Sequence, residues 1–231
     1  MKVDIREKNT ALVSLFENPG QTIFLDANFL IPPDRSRIDK NVKPVPFQKY
    51  CEIWLDPIFD EFSGFAMHES VYDELVKDNV KLYADSKKQK TPPRLKVYTD
   101  SGLNAVEMSM METYIQKIAP YSKYIPSLGN ADDRGEVLSL SYMAAKGFLY
   151  FASDDKLPFD LIRKAEEFET GLDNMGLLEM YDVIFYLYRS GKYDNKGLRM
   201  LYKYQYHLTK KEKSQNPEWG EFIEKMTALY Q

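Results

Sequence analysis

One cysteine and two histidines in 231 residues leave little room for sulfur or imidazole chemistry. Cys51 has no partner for an internal disulfide, which fits a reducing cytoplasm, and its apolar, helix-like surroundings from Gln48 to Phe62 predict a buried structural thiol. His68 and His207 lie too far apart to form a zinc-ligand pattern, and His68 is expected to pack or hydrogen-bond beside a strand. No apolar run reaches the roughly 18 residues that span a bilayer, and MKVDIREKNT has no apolar signal core, so no membrane association or export is expected. A Gly-rich phosphate loop is missing, which argues against P-loop nucleotide hydrolysis. Neither an internal repeat nor a low-complexity tract is visible. A surplus of positive charge is also lacking: the net charge is −4. Nucleic-acid binding is therefore not written in the overall balance.

The distribution of charge says more than its sum. Ser86 to Lys96 carries Lys87, Lys88, Lys90, Arg94 and Lys96 with no acid among them. Such a run is either a solvated loop or a basic rim that follows phosphates. The stretch Arg199–His207 interleaves basic and aromatic residues, but Tyr202 and Tyr206 stand one helical turn apart, as in a packing stripe.

Short apolar runs recur at Thr22–Leu25, Gly64–Met67, Leu95–Thr99 and Phe148–Ala152. Runs of this kind suit parallel strands covered on both faces. Between them, helical spacing marks Phe47–Phe62, Val71–Tyr83, Leu103–Ile118 and Val137–Lys146, after an opening helix that ends near Glu17. Strand and helix in alternation predict an α/β domain with a central parallel sheet flanked by helices. Asn18-Pro19-Gly20, Pro32-Pro33, Pro44, Pro46 and Thr91-Pro92-Pro93 punctuate it. Beyond Asp155 the pattern predicts only helices, over Leu157–Phe168, Leu177–Tyr188, Lys196–Tyr206 and Trp219–Leu229. The expected division is an α/β domain over 1–168 and an all-helical extension over 169–231 that packs on it or caps it.

In open α/β sheets, ligands bind beyond the carboxyl ends of the strands. Acids stand at four such places. Asp26 follows the first apolar run, Glu74 follows the second within SVYDELV, Glu136 opens a helix after Asp132-Asp133-Arg134-Gly135, and Asp154-Asp155 ends the fourth run. Any of these taken singly can be an N-cap. Together they form a carboxylate cluster, which is costly to ionise unless a cation sits within it. Hard divalent cations take oxygen ligands, and an ion so held can orient water and stabilise charge on a phosphate.

The segments IFLDANFLI, SVYDELV, DDRGEVLSLSYMAAKG and FLYFASDDK resemble, in that order, the motifs of the PIN-domain family of metal-dependent ribonucleases. The resemblance runs from about Thr22 to Asp155 and is nearest to the branch that bears Gly-Glu at the third motif; Gly171 to Gly191 resembles the helical ending of that branch. It implies a PIN-like three-layer fold and a divalent-metal-dependent endoribonuclease, a hydrolase of RNA phosphodiesters using Mg²⁺ or Mn²⁺. It also implies catalytic and ligand roles for Asp26, Glu74, Glu136 and Asp154 or Asp155. Asn28 matches the polar position beside the first acid, and Ser153 matches the Ser/Thr before the last. Glu69 competes with Glu74 for the second motif, whose surroundings favour Glu74. Asp133, one helical turn before Glu136, is either an extra ligand or a cap. Lys87, Lys88, Lys90 and Arg94 are the candidate RNA contacts. An inhibitory protein partner and a homo-oligomer stay open. Two other readings remain: a PIN scaffold that binds RNA or protein without cutting, and a phosphatase with Asp26 as nucleophile. Asn28 weakens the latter, because such enzymes usually carry a second Asp two positions after the first.

Overall fold

The apolar runs fold into short strands: β1 Ile23–Leu25, β2 Phe65–His68, β3 Leu95–Tyr98, β4 Tyr150–Ala152 and β5 Gly176–Leu178. The computed structural model describes every residue except Met1, Asp39, Asn41 and Lys77. Among the described residues these strands make one sheet, in the order β3-β2-β1-β4-β5, with every neighbouring pair parallel. The protein is thus α/β, with a central parallel sheet flanked by helices, as its alternating pattern predicts. Ile23, Phe24 and Leu25 are all buried, which explains why β1 reads as a continuous apolar run rather than an alternating one.

Strand order reverses at β1, since β2 and β3 lie on one side of it and β4 and β5 on the other. The crevice of such a sheet opens at this switch point, beyond the carboxyl ends of β1 and β4. Register then fixes which residues meet there. Leu25 is opposite Ala152, so the next residues, Asp26 and Ser153, emerge side by side.

The chain forms two compact units. One contains Gly20–Ile31 and Ser63–Leu178, and hence the whole sheet. Its core joins Phe24 and Phe151 of the sheet to Val137, Leu140 and Met143 of the helix Arg134–Lys146, and to Met111 and Ile118 of the helix Ala105–Ile118. Burying each such side chain stabilises the fold by about 1.5–3 kcal/mol. The helix Ala105–Ile118 starts two residues later than its apolar spacing suggests, because Asn104 and Glu107 close a capping box there.

The other unit contains the chain up to Pro19, then Pro32–Phe62 and Glu179–Gln231. It is helical. Phe16 stacks on Tyr186 at 5.3 Å, and Tyr202 stacks on Phe222 at 4.5 Å, so the tyrosine stripe of the tail is core. Arg35 makes a buried ion pair with Glu212 and donates to the Gln205 carbonyl. Residues 47–61 are helical throughout, but Cys51–Leu55 is wound as a π-helix. Pro57 gives the reason: it has no N–H to offer the carbonyl one turn before it, and the Asp56 N–H reaches back five residues to Cys51. Cys51, expected as a buried thiol, is partly exposed at this bulge.

Several expectations are corrected. The expected single cut after residue 168 does not describe the two units, each of which is discontinuous in sequence. The extension expected to be all-helical contains β5, and the helix expected over Leu177–Tyr188 starts only at Met180. The helix expected over Val71–Tyr83 is two, Glu69–Asp73 and Asp78–Lys88. Lys87 and Lys88 therefore end a helix instead of lying in a loop. The helix Lys210–Gln215, capped by Thr209 and Glu212, was not anticipated. No helix among the described residues is long and apolar enough to cross a membrane.

Candidate metal centre

Asp26 is the first residue past β1 and is 3% exposed. Its Oδ1 accepts the Ala27 N–H at 2.7 Å, which caps the short helix Ala27–Leu30. Its Oδ2 accepts the Ser153 hydroxyl at 2.6 Å and the Asn28 amide at 2.9 Å. The backbone carries the same bridge, as the Asp26 N–H donates to the Ala152 carbonyl at 2.9 Å. Ser153 is fully buried; its oxygen also accepts the Asp155 N–H at 3.0 Å, which turns the chain as it leaves β4. Asn28 and Ser153, singled out by position, thus orient the first acid.

Three carboxylates converge. Asp26, Glu136 and Asp155 each place an oxygen within 4.8 Å of the other two. Glu136 comes from the first turn of the helix Arg134–Lys146. Burial and the charge of Glu136 push the Asp26 carboxyl well above the usual range, despite the hydrogen bonds from Ser153 and Ala27 that favour its ionised form. Glu136 is raised as well, by burial and then by Asp155 and Asp133. Glu74 reaches about 7, through burial first and the charge of Glu136 second. Its residue surface is largely open, but its carboxyl lies against the backbone of Gly135.

Other predicted site residues fall outside the three-carboxylate group. Asp154 is buried, and its N–H meets the Asn28 oxygen at 3.4 Å. Of the doublet, Asp155 is the residue that joins Asp26 and Glu136. Asp133 does not cap the helix with its side chain; its carboxylate accepts the Lys123 N–H at 2.8 Å. Glu69 belongs to a different network. Its carboxylate accepts the Asp100 N–H at 2.8 Å, beside His68.

His68, Glu69 and Asp100 form a second group whose potential ligand atoms also lie within 4.8 Å of one another. His68 ends β2 and is fully buried. Its Nε2 donates to the Asp100 carboxylate at 3.0 Å, and its Nδ1 meets the Ser70 hydroxyl at 2.8 Å and the Ser70 N–H at 3.3 Å. Every ring nitrogen is used, and the network ties the end of β2 to the end of β3 as the packing role expected of His68 requires.

The basic residues are partly organised by aromatic rings. Lys81 lies 3.2 Å from the Tyr72 ring centre and donates to the Tyr72 carbonyl; Lys88 covers the same ring at 4.9 Å, and Lys87 covers Tyr83 at 4.6 Å. Lys90 and Arg94 follow on the exposed turn, where the Arg94 N–H closes onto the Lys87 carbonyl at 2.9 Å. Lys81 was missed in the sequence, and so was the part that Gly135 plays beside Glu74. The sequence marks Gly135 only as the glycine of the Gly-Glu pair, inside a first helical turn.

The raised carboxyls set a pH dependence. A carboxyl whose pKa is higher in the folded protein binds more protons there than in the unfolded chain, so stability falls as pH rises through that interval. The metal-free protein should therefore lose melting temperature between about pH 4.5, where unfolded Glu titrates, and about 7, the value for Glu74. Thermal melts in EDTA across this window check it. A melting temperature that rises with pH there would contradict the carboxyl crowding.

Compared with family models, with curated proteins and with solved structures, the chain matches none.

Proposed function

We propose that the protein is a divalent-metal-dependent endoribonuclease of the PIN type and that Asp26, Glu136 and Asp155 hold its Mg²⁺ or Mn²⁺. The observation that carries this reading is three carboxylates gathered at the switch point of a parallel sheet, one of them buried and held against its preference for charge. The donor set suits the ion. It is all oxygen, without thiolate or imidazole, as hard divalent cations require. A cation bound there would supply Lewis-acid polarisation and charge neutralisation at a phosphate.

The chain's own residues do the rest by orientation. Ser153 and Asn28 fix Asp26 in one rotamer, and the Ser153 oxygen fixes the turn that presents Asp155. Asp155 is the exposed member, so an incoming phosphodiester meets the cluster on that side. Positioning and electrostatics carry catalysis of this kind without a covalent intermediate. A phosphatase with Asp26 as nucleophile fits less well, because Asn28 stands where such enzymes usually carry a second Asp, and its amide donates to Asp26.

Cleavage of single-stranded RNA tests the proposal. With Mn²⁺ the products should carry 5′-phosphate and 3′-hydroxyl ends, because water attacks in place of the RNA's 2′-hydroxyl, whose attack would leave a cyclic phosphate. Looped or single strands are expected substrates, since splayed nucleotides reach a site that an A-form groove does not. Cleavage that continues in EDTA, or that leaves cyclic phosphates, would overturn the reading. Metal and RNA binding without cleavage would favour the non-catalytic scaffold.

A further inference from the structure

The helix Arg134–Lys146 begins without a side-chain cap from its own sequence. Asp133 occupies the N-cap position with φ +54°, and its carboxylate is turned to the Lys123 N–H. The first N–H groups of a helix have no acceptor within it and must find one elsewhere. The carboxylate of Glu74, which arrives from the turn that ends the helix Glu69–Asp73, lies against the Gly135 backbone, whose N–H favours its charged form against the burial that raises it.

The place this carboxylate occupies is the space that a side chain at residue 135 would fill. A Cβ on Gly135 would lie 2.3 Å from Glu74 Oε1, 3.0 Å from its Cδ and 3.2 Å from Val71 Cγ2. Glycine weakens a helix relative to alanine, and Gly135 is not among the glycines with positive φ. Conformational freedom therefore does not account for it. Room for Glu74 does. The next residue is Glu136, in the same first turn, while Glu74 itself stands outside the three-carboxylate group.

We propose that Glu74 and Gly135 are a positioning pair: Glu74 caps, from another segment, the helix that carries Glu136, in a slot that exists because residue 135 has no side chain. Glu74 then acts on the cation site through that helix and is not itself a ligand. Its functional consequence rests on the metal reading above, but the cap can be tested without it.

The experiment compares the parent with Glu74→Gln, Glu74→Ala, Gly135→Ala and the Glu74→Ala/Gly135→Ala double variant. Melting temperatures are taken in EDTA, and Mn²⁺ affinity is taken by calorimetry. The amide oxygen of Gln can accept the Gly135 N–H as a carboxylate would, so Glu74→Gln should keep the Mn²⁺ Kd within about threefold. Glu74→Ala and Gly135→Ala should each weaken it about tenfold, on the scale of a lost cap. The double variant should be no worse than either single, because the new Cβ enters an emptied slot. In EDTA, Gly135→Ala should lower the melting temperature of the parent yet leave that of Glu74→Ala unchanged or higher. Glu74→Gln as damaging as Glu74→Ala would make Glu74 a ligand and overturn the proposal. Equal loss from Gly135→Ala in both backgrounds would overturn it too. If the parent binds no Mn²⁺, the metal reading fails, and the melting cycle alone decides the pair by the same cancellation.

Discussion

In millimolar Mn²⁺ the protein should melt well above its EDTA value, and Asp26→Asn should abolish that gain. A ligand that binds only the folded state stabilises it by about 2.7 kcal/mol at 100 times its Kd. For a chain of this size that is roughly 5–10 °C in melting temperature. Asn keeps the shape of Asp26 but deletes the buried charge the cation needs. The hydrogen bonds survive in part. The amide oxygen can keep the Ala27 N–H, but an NH₂ facing Ser153 takes away the acceptor of its hydroxyl, which already accepts the Asp155 N–H. The contact from the Asn28 amide is lost as well, and both losses are offset by relief of the repulsion with Glu136 and Asp155 that raises Asp26. In EDTA the variant should therefore be as stable as the parent or slightly more so. Unfolding of Asp26→Asn in EDTA would make Asp26 a structural cap, and undiminished stabilisation by Mn²⁺ would place the cation elsewhere.

Why the role of Asp26 could be read before the structure, and that of Gly135 could not, follows from what local sequence encodes. β1 is buried on both faces, so its apolar run stops abruptly at the first residue of the crevice, and Asp26 is that residue. The same logic marks the end of β4 but cannot choose within its acidic doublet. That choice depends on the turn made when the Asp155 N–H folds onto Ser153, which leaves Asp154 buried and Asp155 exposed. β5 is invisible for a different reason. Gly176-Leu177-Leu178 is three residues long, and its leucines run in phase with the helix that starts at Met180. The break between the helices Glu69–Asp73 and Asp78–Lys88 has no Gly or Pro to announce it, and the apolar spacing continues across it. Grouping Pro32–Phe62 with Glu179–Gln231 is a long-range event, set by pairs such as Arg35 with Glu212 that no local period records. Gly135 has meaning only once Glu74 is seen inside its missing side chain.

The second large effect is on RNA cleavage, where binding and chemistry should separate. Asp26→Asn and Glu136→Gln should each lower the cleavage rate by on the order of 10³ or more, the scale of losing a cation's stabilisation of a phosphoryl transition state. RNA affinity should change little, because neither acid lies in the basic stretch. Replacing Lys87, Lys88, Lys90 and Arg94 together by Ala should do the reverse. Lys81 would still cover the Tyr72 ring and hold the Tyr72 carbonyl, so the helix Asp78–Lys88 should keep its place. Affinity should fall, and the dependence of binding on salt should flatten by about 0.7 in the log–log slope for each phosphate contact removed from a single strand. The cleavage rate at saturating RNA should stay near that of the parent. Filter binding across a salt series and single-turnover cleavage measure the two quantities separately. An unchanged salt slope would remove the basic stretch from the RNA path and leave the acidic cluster untouched. Cleavage that survives both acid substitutions would remove the cluster from the chemistry, whatever the basic residues do.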